Sequence, residues 1–316
     1  MSEICVVGSI NMDIVTSVDE YPKRGQTVFG NKVSNSAGGK GANQAISCSR
    51  QGKKVSLIGC VGNDYYGEKL IDNLKRNRVD TSTIKRDGVE STGQTTILLD
   101  NQAENTIIYV EGANKALDEK YVLDTLSTLT DCKILLIQME IPSNTVLEVM
   151  KYAKQHQIFV ILDPAPANAV TDEMLTYADV ILPNAHETEL LTGITIIDEK
   201  TARQAATIFL EKGVSQGVLK LGKEGSYVFI ENKITFIEGI KVGAVDTVGA
   251  GDCFAGALAS ALIDRQQLLA AVEFANIAAA LKVTKHGAQE GIPTIEEIKS
   301  FCHENDLTTY LNFQPS

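Results

Sequence analysis

Val245-Asp246-Thr247-Val248-Gly249-Ala250-Gly251-Asp252-Cys253-Phe254-Ala255-Gly256 is the stretch on which the reading of this chain turns. An extended, β-branched run over 235–245 leads into it. Small residues at helical spacing (Ala255, Ala257, Leu258, Ala261, Leu262) lead out. At the junction stand Gly249 and Gly251, whose missing Cβ atoms permit a sharp turn and close approach to a ligand. The first amides of the following helix have no partner within it, so they form an anion site with the helix dipole behind them. Asp252 falls at or just inside that helix start. It reads either as a carboxylate capping the helix or as a base beside an anion hole, and the rest of the chain must separate the two.

Working outward, strand-like runs appear at 3–8, 55–61, 134–139, 159–163, 180–183 and 218–221. Helical patterns fill 42–51, 66–77, 143–156, 185–191, 200–212, 250–263, 268–283 and 295–304. Such alternation predicts an α/β fold, a mostly parallel sheet with helices on both faces. Ligands then bind beyond the C-terminal strand ends, where Asn11, Asp13, Glu140, Asn184 and the opening stretch all fall. Two extended pairs, 14–19 with 27–34 and 94–100 with 106–111, break the rhythm and predict a small antiparallel lid. With no repeat or linker, residues 1–316 read as a single domain, the lid inserted from about 12–37 and 91–112.

Hydrophobic residues make up 44% and charged residues 22% of the 316, a composition that supports a sizeable core. A net charge of −11, with no basic run, argues against nucleic acid or an anionic membrane as partner. Phosphate binding would therefore rest on backbone dipoles, a few placed cations and a metal. The six cysteines show no metal-ligand spacing, no apolar run is long enough to span a bilayer, and no signal-like segment opens the chain. A reducing cytoplasm is the expected location.

Several motifs fail. Residues 217–224 lack the Ser or Thr of a P-loop, because Glu224 stands in its place, and their middle reads as a strand. Phe254 replaces the third glycine of a dinucleotide fingerprint. The four histidines lack paired spacing, and His186 fits a solvated helix face better than a metal site.

Weak signals remain, each with a plain alternative. Gly38-Gly39-Lys40-Gly41-Ala42-Asn43 offers amides at a helix start, or merely a glycine turn. Asn11 and Asp13 suit a vicinal diol, or a turn. Glu140 could hold a hydroxyl or cap the next helix. Asn184 and Glu187 lie one helical turn apart, which suits hydrated Mg²⁺ and phosphate or a capping box.

Taken in order, Gly8-Ser-Ile-Asn11-Met-Asp13, Gly38-Gly-Lys-Gly-Ala-Asn43-Gln, Asp163-Pro-Ala-Pro-Ala, Asn184-x-x-Glu187, Asp246-Thr-Val-Gly-Ala-Gly-Asp252 and Gly287-Ala-Gln289 resemble the ribokinase, or PfkB-type, family of carbohydrate kinases nearly end to end. The resemblance implies a three-layer sandwich with a β-sheet lid that also forms a homodimer interface. It implies transfer of the ATP γ-phosphoryl group to a primary sugar hydroxyl, with O5 of D-ribose as acceptor. Asp252 would be the base, and the Gly249, Ala250, Gly251 and Asp252 amides the anion hole. Asn11, Asp13, Gly39, Lys40, Asn43 and Glu140 would hold the sugar. Asn184, Lys220, Gly222, Gly225, Gly251 and Asn276 would line the ATP site, with Glu187 acting on Mg²⁺ through water. A monovalent-cation (K⁺) site would draw on Asp246, Val248, Lys282, Lys285 and Gly287, largely through carbonyls.

Three features depart from the family pattern. Gly291 stands where a Ser hydroxyl usually meets the monovalent cation. Lys220 replaces a usual Thr and either contacts phosphate or simply ends a strand. His186 and Ala185 alter the acidic loop without changing the Asn184–Glu187 spacing. Other readings are a kinase for deoxyribose, another pentose or a nucleoside, and a non-catalytic sugar or nucleotide sensor.

Overall fold

Short runs of Val, Ile and Leu ending in Gly, Pro or Asp set the strands, and a computed structural model describes residues 2–102, 105–264, 267–305 and 307. The first strands are β1 (Ile4–Val7), β2 (Asn11–Val18), β3 (Gly30–Gly38), β4 (Val55–Gly62) and β5 (Ile84–Asp87). Next come β6 (Gly93–Leu99), β7 (Asn105–Val110), β8 (Ile134–Ile137) and β9 (Phe159–Leu162). The last are β10 (Val180–Ile181), β11 (Gln216–Lys220), β12 (Gly225–Ile230) and β13 (Lys233–Glu238). Helices between them are α1 (Lys40–Arg50), α2 (Tyr65–Arg76), α3 (Glu119–Thr128), α4 (Ser143–Gln155) and α5 (Asp172–Leu175). They continue as α6 (Ala185–Thr192), α7 (Glu199–Glu211), α8 (Ala250–Ile263), α9 (Leu268–Val283) and α10 (Ile295–Glu304).

Nine strands form one sheet in the order β13-β12-β11-β10-β9-β8-β1-β4-β5, parallel from β11 to β5 with an antiparallel edge of β12 and β13. β1 shows why both faces are covered. Ile4 and Val6 enter one apolar cluster with α1, α2, α8, α9 and α10, while Cys5 and Val7 enter another with α3, α4, α5 and α7. Side chains alternate across a strand, so an unbroken apolar run requires a helix layer on each side. The result is the expected three-layer sandwich.

A second sheet, β3-β2-β6-β7, is the lid, and it corrects the sequence reading in two respects. The two hairpins meet through a parallel β2–β6 pair, so the lid is not wholly antiparallel. Strand β2 also begins at Asn11, which places Asn11 and Asp13 on the lid rather than in a turn after β1. The extended run expected over 235–245 ends at Glu238, and 239–249 is irregular apart from turns. β5, α3, α5 and β12 had no clear sequence signal. The expected domain end at 316 and two residues of the lid turn, Ala103 and Glu104, lie outside the described residues.

Candidate active site

α8 begins at Gly249, which takes a left-handed conformation (φ 76°), and no side chain caps the helix. Asp252 lies in its first turn, only 7% exposed. Its carboxylate turns away from the helix end. Asn43 Nδ2 donates to Oδ2 at 2.8 Å and Gln44 Nε2 to Oδ1 at 3.1 Å. The capping alternative therefore fails, because both oxygens are held by α1. The two helices approach closely at Gly256, where a Cβ would stand 2.4 Å from Ser47 Cβ. Ser47 Oγ adds a 2.9 Å bond to Cys253 O. The Ala250 amide already reaches Thr247 O at 3.2 Å, so the outward donors are chiefly those of Gly251 and Asp252.

The sugar-side residues come from three directions. Glu140, just after β8, accepts from Ser9 Oγ at 2.5 Å and from the Lys40 amide at 3.4 Å. Asn11 Oδ1 accepts from Asn114 Nδ2 at 2.7 Å. Gln289 Nε2 donates to Asn43 Oδ1 at 2.9 Å, so the amide that holds Asp252 is itself held. Asp13 on β2 pairs in register with Thr95 on β6, and Thr95 with Tyr109 on β7. Burial pushes the Asp13 carboxyl up to about 6; Thr95 opposes this, while the Glu140 and Asp252 charges add to it. Burial also raises Glu140 and Asp252, in each case against the Lys40 charge. For Lys40 burial works the other way, but Asp252, Glu140, Asp163 and Glu187 outweigh it and hold the ammonium protonated.

On the opposite side, Asn184 caps α6 and Glu187 returns the contact, amide to side chain, at 2.8 Å each way. The capping box is thus real, and it fixes both residues at the strand ends. Burial raises the Glu187 carboxyl, the Asp163 charge raises it further, and Lys220 counteracts. Asp163 is the hub: Oδ1 accepts from Lys220 Nζ at 3.1 Å and Oδ2 from Gln44 Nε2 at 2.8 Å. Lys220 Nζ stands 3.9 Å from where a Gly251 Cβ would lie, beside the α8 amides. A cleft of about 660 Å³ opens here, lined by Asn184, His186, Lys220, Gly222, Tyr227 and Phe236. Asn276 on α9 does not line it, yet its Nδ2 is buried without a hydrogen-bond partner. Gly225 starts β12, where a Cβ would stand 2.1 Å from Ile237 O, so its place in the fold is accounted for by packing.

Among the described residues no three His, Cys, Asp or Glu side chains are grouped to ligate a metal directly. The buried Glu187 and Asp163 carboxylates do fit a hydrated divalent cation held through water, since such a cation would offset their mutual repulsion.

The expected monovalent-cation loop is tied together by Asp246 and Lys282. Asp246 Oδ1 accepts from the Val248 amide at 3.0 Å and Oδ2 from the Gly287 amide at 2.9 Å, which closes the loop. Lys282, expected in a site built largely of carbonyls, is a fully buried side chain whose Nζ donates to Asp246 O at 2.9 Å. The Lys285 side chain pairs with Glu297, which leaves its carbonyl on the loop.

Gln44, Gln138, Asn114, Tyr109 and Asp163 received no role from the sequence. Gln138 Nε2 donates to Gln44 Oε1 at 2.5 Å, so Gln138, Gln44 and the two aspartates form one buried network. Gln44 directly follows Asn43, and Asp163 lies in a quoted motif, so both had a visible signal.

A model described as pfkB family carbohydrate kinase matches residues 1–295. The chain is 38% identical over 298 residues to a ribokinase of Haemophilus influenzae, covering 94% of this chain and 97% of that one. It is 39% identical over 299 residues to a ribokinase of Bacillus subtilis, covering 95% and 99%. The Arabidopsis thaliana ribokinase structure complexed with ribose and ATP superimposes with a TM-score of 0.88 at 31% identity, covering 99% of both chains.

Proposed function

The chain belongs to the pfkB family of carbohydrate kinases, and from that premise we propose that it transfers the γ-phosphoryl group of ATP to O5 of D-ribose, giving D-ribose 5-phosphate and ADP. The observation that carries this reading is Asp252, a buried carboxylate with both oxygens held, in the first turn of an uncapped helix.

In this reading Asp252 takes the proton from the attacking hydroxyl while Asn43 and Gln44 hold the carboxylate in place. The Gly251 and Asp252 amides, with Gly249 setting the turn, meet the charge that develops on the transferred phosphoryl group. Phosphoryl transfer depends chiefly on alignment and preorganised dipoles. Asn11, Asp13, Gly39, Lys40, Asn43 and Glu140 hold the sugar between the lid and the sheet, and Tyr109 joins them from β7. Asn184, Lys220 and Gly222 serve the nucleotide from the cleft lining; Gly225 acts through the backbone turn it permits, and Asn276 from outside that lining through its Nδ2, unpartnered among the described residues. The Lys220 ammonium, paired with Asp163 and beside Gly251, is placed to approach a phosphate oxygen. Glu187 and Asp163 would hold Mg²⁺ through water, and the ion would supply charge neutralisation at the phosphates.

The sandwich and its lid act as one domain. The lid pairs two copies: on the face shared by Asp13, Thr95 and Tyr109, the next row is Val15, Ile97 and Ile107, with Ile107 57% exposed. An apolar row beside a polar one suits a homodimer interface. Six free cysteines agree with a reducing, cytoplasmic setting. Among the described residues no helix is long and apolar enough to cross a membrane.

ADP release measured against a panel of ribose, deoxyribose, other pentoses and nucleosides tests the reading. Ribose is expected to give the highest kcat/KM. A higher value for another acceptor reassigns the substrate, and binding of ribose and ATP without ADP formation identifies a sensor.

A further inference from the structure

A side-chain cation meets a backbone carbonyl behind the α8 N-terminus, with two further carbonyls close to Gly291 beside it. Lys282 Nζ donates to Asp246 O at 2.9 Å. A Cβ built on Gly291 would stand 2.8 Å from Gly287 O, 3.2 Å from Lys285 O and 3.2 Å from Lys282 Cε. The end of the lysine stem therefore lies beside Gly291, which also faces the carbonyls of residues 285 and 287, while the lysine Nζ reaches the Asp246 carbonyl. Any side chain at 291 would crowd it, and glycine leaves it room. A fully buried ammonium persists only where acceptors and negative charge surround it; burial pushes the Lys282 ammonium's pKa down, and the charges of Asp246, Asp252 and Glu290 oppose that.

We propose that the Lys282 ammonium is this chain's own monovalent cation, filling the carbonyl loop permanently, and that Gly291 is its matched partner. The lysine ties residues 245–248 to the end of α9, next to the bond from the Gly287 amide to Asp246 Oδ2 that ties them to 285–291. That tie bears on the phosphoryl site, because a Cβ on Gly249 would stand 3.1 Å from Ala288 O. The helix cap that orients the anion hole rests directly on the loop that Lys282 braces. Lys282 is thus a positioning residue: it touches no substrate, and it makes the protein indifferent to potassium. The kinetic consequence rests on the kinase reading above, while the effect on stability does not.

The test compares KCl with choline chloride at equal ionic strength, by melting temperature without substrates and by ADP release. Wild-type protein is expected to show the same Tm in both salts and rates within about 2-fold, since no ion site is left to fill. Lys282→Ala opens a cation-sized hole: its kcat is expected to fall at least ~10-fold in choline and recover in KCl, with Tm rising about 3 °C or more in KCl. Lys282→Met, which fills the hole without charge, is expected to lose activity that KCl does not restore. A Tm of the wild type that rises in KCl overturns the proposal without any variant. A Lys282→Ala protein whose Tm responds identically to both salts also overturns it. A wild type inactive on every sugar, with its Tm still indifferent to potassium, refutes the kinase reading and leaves the cation assignment standing.

Discussion

Asp252 holds a charge that burial opposes and that Lys40, Asn43 and Gln44 sustain. Asp252→Asn keeps the shape and one of the two α1 hydrogen bonds, sets its amide donor against the other, and cannot take a proton, so kcat is expected to fall at least ~10²-fold with a smaller change in KM, measured by steady-state ADP release. Near-normal turnover would remove Asp252 from the base role. Asp13 supplies a pH test of a different kind. Its carboxyl rises from 3.8 to about 6 in the fold, so the folded state binds the proton more tightly than the unfolded state. Stability from this group is present below the unfolded value and is lost as pH rises through about 6. Asp13→Asn is expected to raise Tm by about 2–4 °C at pH 7.5, a gain that disappears near pH 4, while the KM for the sugar increases. A Tm difference that does not change with pH would contradict the assignment. At this scale the sequence was legible where one residue carries its own signal, as Asp252 does beside two glycines. It was mute where the role exists only in a long-range pair. Gln44 and Asp163 each stand in a visible motif, yet no local pattern marks that Gln44 bridges Asp163 and Asp252 across 119 and 208 positions.

The lid is the element whose surface asks for a partner. Ile107, Ile97 and Val15 lie in one row across β7, β6 and β2, beyond the polar row of Asp13, Thr95 and Tyr109. Ile107→Glu places a charge in that row at a half-exposed position, so the monomer should keep its fold. Sedimentation equilibrium is expected to shift from dimer to monomer, with a several-fold higher KM for the sugar. A variant that stays dimeric would place the interface elsewhere. The same element shows how far a pattern reaches. Alternation announced two hairpins, but the parallel β2–β6 pairing that joins them is a long-range choice that no hairpin signal contains. α8 and α9 were plain because long small-residue and apolar runs permit little else. β5 stayed hidden because Lys85, Arg86 and Asp87 at the sheet edge look like a solvated turn. The run over 235–245 misled for the opposite reason: β-branched residues continue past Glu238, although no neighbouring strand remains to pair with them.

Taken whole, the molecule binds polyanions while being an anion itself. Its net charge is −11, and the site repeats the sign, with Asp13, Glu140, Asp163, Glu187 and Asp252 set against the ammonium groups of Lys40 and Lys220. The far field therefore repels a nucleotide that the near field, made of helix dipoles and two lysines, must hold. These contributions separate by range. Exposed charges beyond a Debye length are screened by added salt, from about 30 Å at 10 mM to about 10 Å at 100 mM, whereas buried contacts are screened much less. Raising choline chloride from 10 to 100 mM at fixed free Mg²⁺ should thus weaken the repulsion and spare the attraction. The kcat/KM for MgATP is expected to rise by up to ~3-fold, and that for the neutral sugar to stay level. A basic nucleotide binder would show the reverse slope. A fall in kcat/KM for MgATP here would mean that Lys40 and Lys220 project further than the surrounding carboxylates permit, and the local-dipole account of phosphate binding would have to be given up.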